Sequence, residues 1–126
     1  MIIAKSKNDN YMTEITDGQH SIFSDTDIKN GGKNMRQNAS SIFFSGYAAC
    51  VNVTTRMVLD RHNLAYDDVI VTVDYDNSDL DNLKIYTKTE IISNIPQEKK
   101  KEIINKVKRC PVARMMRANK EFFDME

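Results

Sequence analysis

The stretch GYAACVNVTTRMVLDRH, residues 46 to 62, constrains this chain more than any other. Phe43, Tyr47, Cys50, Val51, Thr54, Met57 and Val58 recur at spacings of three and four, the helical period. Asn38, Ser40 and Ser41 precede them as candidate N-caps, and Asn63 is the expected stop near His62. Phe44, Ala48, Ala49 and Val53 widen the apolar surface beyond a single stripe. A helix apolar on most of its circumference has to be covered on most sides. A chain of 126 residues is expected to build one domain with one core. A partner subunit is therefore expected to cover part of the helix.

The rest of the chain supplies strands before and after it. A short strand from Ile2 to Lys5, then Tyr11 to Thr16 and Gln19 to Ser24, read as an N-terminal β-meander, with turns at Asn8-Asp9-Asn10 and Asp17-Gly18. Residues 25 to 38, DTDIKNGGKNMRQN, are polar and form a long loop, a kind of segment that is often functional. VIVTVDYD (69 to 76) and LKIYTKTEII (83 to 92) alternate as a β-hairpin, with Val69, Val71, Val73 and Tyr75 on one face. Pro96 opens a second helix, whose inner face is Ile103, Ile104 and Val107. A last helix, roughly Val112 to Glu121, is expected to turn Val112, Met115 and Met116 inward. The order β-β-β-α-β-β-α-α is that of an α+β domain.

Charge excludes some function classes. Eighteen basic and eighteen acidic residues cancel, so there is no general electrostatic attraction to nucleic acid or to an anionic membrane. No uninterrupted apolar run approaches the roughly 18 residues that span a bilayer. The start, MIIAKSKNDN, has no h-region or cleavage site. A cytoplasmic protein is expected, with no membrane and no nucleic-acid partner.

Two cysteines in a reducing compartment are expected to be thiols, and a disulfide between them transient. There is no CxxC, and His20 and His62 belong to no ligand cluster, so no metal site is expected. GxSxG and a phosphate-binding glycine loop are also missing. Cys50 has no charged neighbour on its helical face, which reads as a small buried hydrophobe. Cys110 lies among Lys106, Lys108, Arg109 and Arg114, and Pro111 makes it the N-cap of a new helix. Cations and a helix N-terminus both favour thiolate at Cys110; the other reading of Cys110-Pro111 is a simple kink between two helices.

FFSGYAACV around Cys50, RCPVARMM around Cys110, and the elements between them resemble the OsmC/Ohr family of hydroperoxide-reducing proteins, from about Gly31 to Met116. The resemblance implies a single OsmC-like domain over residues 1–126 and an intertwined homodimer with the long central helices packed together. It also implies an organic hydroperoxide substrate. Cys50 would attack the peroxide, and the resulting sulfenic acid would condense with Cys110. No cofactor is bound; an external dithiol, possibly a lipoyl group on a partner protein, would reduce the disulfide. The family pattern further includes an arginine beside the reactive cysteine and a glutamate that opens the central helix. Here the glutamate position reads Ser40, in Asn38-Ala39-Ser40, and residues 1 to 35 hold no arginine. Arg36 is the candidate cation and Glu14 its candidate holder; Lys33 is the weaker substitute, lacking the planar fork. The alternative is a non-peroxidase dimer of the same fold that binds a small molecule or a protein.

Overall fold

The computed structural model describes residues 1–125. The chain is α+β. Its elements are β1 (Ile3–Ser6), β2 (Thr13–Thr16), β3 (Ser21–Ser24), α1 (Ala39–Arg61), β4 (Asp68–Asp76), β5 (Lys84–Ile92), α2 (Gln97–Val107) and α3 (Pro111–Arg117). It divides into two compact units, Met1–Ser45 and Gly46–Glu126, with α1 starting in the first and ending in the second.

In the first unit β1, β2 and β3 form an antiparallel meander. Its turns use the chemistry that the sequence suggests. Asp17 Oδ1 accepts the N–H groups of Gln19 (2.8 Å) and His20 (2.7 Å), and Gly18 takes a left-handed φ of 99°. Asn10 is also left-handed, at φ 47°. Only Ser24 among the strand residues is buried, so this sheet has no apolar core of its own.

The loop that follows is tightly fastened. Asp25 is buried, and its carboxylate accepts the N–H groups of Thr26 (2.8 Å), Met35 (3.1 Å) and Lys33 (3.2 Å). These bonds, with that from Met35 the strongest influence, hold its carboxyl below the usual range. Asp25 N–H in turn donates to the Gln37 carbonyl at 3.1 Å. Gly32 packs against the Thr26 carbonyl so closely that a Cβ there would collide with backbone. Asn10 Nδ2 donates to the Gly31 carbonyl, and Lys33 pairs with Asp9.

Asn38 is the cap of α1: its Oδ1 accepts the Ser41 N–H at 2.8 Å. At the other end Asn63 takes φ 54°, and Leu64 N–H returns to the Leu59 carbonyl. By length and composition this 23-residue helix passes as a candidate membrane span, a test that the central helix of a packed domain passes as well. Asn52, Thr54 and Thr55 interrupt its apolar residues, so no unbroken apolar run approaches that length.

In the second unit a stripe of α1 (Tyr47, Val51, Thr55, Leu59) is buried. Thr55 is tolerated because its hydroxyl donates to the Val51 carbonyl at 2.7 Å. Tyr47, Val51 and Leu59 join Val69, Ile91, Ile103, Val107, Cys110 and Ala113 in one core. β4 and β5 pair antiparallel with Val69 opposite Ile91, Val71 opposite Thr89 and Val73 opposite Thr87. The face of β4 expected to be apolar is the covered one: Val69 is buried and Val71, Val73 and Tyr75 are half-buried, while Ile70, Thr72 and Asp74 are exposed. Asn52 fastens α1 to this hairpin through a 2.6 Å bond from Nδ2 to the Val69 carbonyl.

Two expectations fail in α3. It ends at Arg117 instead of near Glu121, because Ala118 turns extended and the Lys120 ammonium takes the Met116 and Ala118 carbonyls, both at 2.8 Å. Met115 is exposed; Val112 and Met116 pack against the core as expected, and Ala113 is the residue of α3 that is buried there.

Candidate functional site

The second unit brings Cys50 and Cys110 together. Cys50 lies about one turn into the α1 stretch of this unit, half-buried beside Val51. Cys110 is the N-cap of α3, with an extended backbone (φ −60°, ψ 157°) and Pro111 at the first helical position. Its own carbonyl accepts the Arg114 N–H, and its N–H returns to Val107 at the end of α2, so the α2–α3 junction fixes the sulfur from both sides.

Val112 and Ala113 stand in the first turn of α3, where N–H groups have no partner within the helix. They face the two sulfurs. Neither closes a cap hydrogen bond of ordinary geometry on Cys110 Sγ; they act as oriented dipoles. Burial pushes the Cys50 thiol up, but the Val112 N–H, the Cys110 thiol and the Thr54 hydroxyl outweigh it, and Cys50 ends below its ordinary range. Thr54 Oγ1 lies 3.9 Å from Cys50 Sγ, a long contact one helical turn on. For Cys110 burial also pushes up, against the Ala113 N–H. The Cys50 sulfur then adds to the rise, both as hydrogen-bond partner and as negative charge, and the Val112 N–H does not reverse it.

This runs against the local charge pattern of the sequence. Cys110 has the cationic neighbours in the chain, but Lys108, Arg109 and Arg114 are exposed, and none acts on its sulfur. The pair shares protons as a unit. Its first thiolate centres on Cys50, with Cys110 the S–H donor to it. The signals that could have shown this are Thr54, four residues after Cys50, and Pro111, which marks the start of a helix whose first N–H groups have no partner within it.

An open groove of about 560 Å³ lies alongside. Tyr47 and Val51 of α1, Ile85 of β5, Val107 of α2 and Met116 of α3 line it, with Lys108 and Arg117 at its rim. Tyr47 Oη accepts a 3.4 Å bond from the Thr87 hydroxyl. Neither cysteine lines the groove, although Val51 and Ala113 border both it and the thiol pair.

Arg36 lies in the first unit, exposed, and its Nη1 donates to the Met35 carbonyl at 3.1 Å. The loop carrying it is fixed on both sides by Asp25, through the Met35 N–H and the Gln37 carbonyl. Glu14 is not its holder: that carboxylate takes Lys7 at 2.6 Å and the Ser21 hydroxyl at 3.0 Å. Lys33 is engaged by Asp9. Ser40, at the expected glutamate position, is exposed in the first turn of α1.

The model of the OsmC-like protein family matches residues 32–122, which include both cysteines, the helix between them and Arg36. Among solved structures, an OsmC-like protein from Mycoplasma pneumoniae superposes with a TM-score of 0.77 at 24% identity, over 92% of this chain and 85% of that one. An organic hydroperoxide resistance protein, OsmC, from Legionella pneumophila gives a TM-score of 0.65 at 25% identity, over 94% and 90%. The organic hydroperoxide resistance protein OhrB of Bacillus subtilis gives 0.58 at 22% identity, over 94% and 90%. No curated protein matches the sequence. With the family model covering nearly three-quarters of the chain, and the fold and paired cysteines in their expected order, this protein belongs to the OsmC-like family.

Proposed function

We propose that the protein reduces organic hydroperoxides to alcohols through its two thiols. The observation that carries this reading is the pairing of Cys50 and Cys110, sixty residues apart in sequence, with the proton held on Cys110 and the charge favoured on Cys50. The Cys50 thiolate attacks the distal peroxide oxygen, the O–O bond breaks, and the alkoxide leaves as an alcohol after taking a proton. Cys50 is then a sulfenic acid. Cys110 attacks that sulfur, a disulfide forms, and the hydroxyl leaves as water with the Cys110 proton. An external dithiol, such as a lipoyl group on a partner protein, returns both cysteines to thiols and is itself oxidised to a disulfide. A nearby resolving thiol traps the sulfenic acid before further oxidation.

Arg36 is assigned the role of a cation that stabilises the attacking thiolate. Its loop is fixed, and a loop closure would have to turn its guanidinium away from Met35. The working form is a homodimer. Val53 and Met57 leave an exposed apolar seam on α1, and the meander has no buried apolar residue, both of which a second subunit would cover. The cytoplasm, where thiols stay reduced, suits this cycle.

One equivalent of cumene hydroperoxide added to the reduced protein should remove two thiols promptly, and peptide mapping should recover a Cys50–Cys110 bridge within one chain. Two thiols intact after minutes would reject the reading. A specific observation favours the alternative, a non-peroxidase OsmC-fold dimer: Ser40 stands where the resemblance places a glutamate, and Arg36 Nη1 donates to its own neighbour's carbonyl. Intact thiols would turn attention to that reading.

A further inference from the structure

The groove beside the thiol pair has two features that the proposed chemistry does not use. Its walls are apolar apart from Thr87 and Thr89, and its rim carries two cations, Lys108 and Arg117, with Arg117 Nη1 donating to the Lys108 main-chain carbonyl at 3.0 Å. Among the described residues neither cation has a carboxylate partner. Beyond α3 the chain runs on as an irregular tail with the opposite character, acidic and aromatic: Glu121-Phe122-Phe123-Asp124-Met125. Phe122 is 91% exposed, Phe123 81% and Met125 85%.

We infer that this tail docks in the groove of a second copy of the chain. Phe122 and Phe123 would enter the apolar part, and Glu121 and Asp124 would meet Lys108 and Arg117. Size is compatible, since a cavity of about 560 Å³ falls within the range that takes compact apolar groups. Two phenylalanines leaving water would bury roughly 300–500 Å². A second copy is the occupant because the segment leaves α3 pinned by Lys120 to the Met116 and Ala118 carbonyls, and its aromatic rings are exposed and do not line the groove of their own chain. Reciprocal exchange about a two-fold axis makes each contact twice. The inference does not depend on peroxidase chemistry.

The sequence has no tryptophan, so Phe123→Trp in this 126-residue chain gives a single fluorescent reporter. The dimer, isolated by sedimentation, should emit to the blue of water-exposed tryptophan. Lys108→Glu/Arg117→Glu in the same chain should shift the emission to the water-exposed position. Glu121→Lys/Asp124→Lys should do the same; it alters only exposed tail residues, and far-UV circular dichroism separates undocking from unfolding. Combining the two reversals should restore blue emission. Water-exposed emission with native charges would overturn the inference. So would blue emission in a monomer, which would place the tail in its own groove, or blue emission insensitive to both reversals.

Discussion

At the scale of single residues, the chemistry turns on which sulfur holds the proton. Cys50 gains more from two dipolar donors and a hydroxyl than burial costs it, whereas Cys110 must keep its proton in order to donate it. Alkylation of the native protein should therefore label Cys50 first, with a midpoint below the ordinary thiol value of about 8.5, and Cys110 later, above it. Cys110→Ala removes the S–H donor and should raise the Cys50 midpoint; Cys110→Ser keeps a donor and should raise it less. Equal midpoints in the two variants would remove Cys110 as the source of the shift. The stability linkage has opposite signs for the two thiols. The Cys50 contribution is present above the unfolded thiol pKa and is lost as pH falls through its lower folded value. That of Cys110 is present below the unfolded pKa and is lost as pH rises through its higher folded value.

At the scale of elements, α1 organises the second unit. Its Tyr47–Val51–Thr55–Leu59 stripe meets the hairpin and α2 in one core, and Leu59 is fully buried. Leu59→Ala should destabilise by about 2–5 kcal/mol, the cost of the lost apolar group plus the cavity left behind. Urea unfolding would check this, and a loss under about 1 kcal/mol would mean that the core relaxes around the site. Much of this scale was legible in the sequence. Asn38, Asn63, Pro96 and Pro111 mark helix ends through backbone chemistry that acts locally, and the alternation in β4 shows its covered face. What was missed follows from contacts rather than pattern: Lys120 ends α3 early by taking two carbonyls, and Asp25 turns an apparently loose loop into a fixed one.

At the scale of the whole molecule, the chain exposes more apolar surface than its own elements cover. Ile22, Val53 and Met57 are 51%, 38% and 57% exposed. Val53→Glu/Met57→Glu should convert the proposed dimer to monomer, read by sedimentation, while far-UV circular dichroism keeps its helical signal. A dimer that survives both charges would place the interface away from the central helix. Because each carboxylate would be buried unpaired in a packed seam, a loss of at least tenfold in dimer affinity is expected.

The sequence by itself determined the element order, the α+β class, the central helix and the family, because caps, prolines and hydrophobic periods act over a few residues and survive without tertiary context. It also determined which two residues could do thiol chemistry. Only the tertiary structure decided which thiolate is favoured. That preference depends on the Val112 N–H and the Cys110 S–H reaching Cys50 from an element some sixty residues away, with the Thr54 hydroxyl beside them, while the lysines and arginines next to Cys110 in the chain face water. Proximity along the chain is a poor guide to field at a sulfur, because charge in water is screened and a dipole aimed at short range is not.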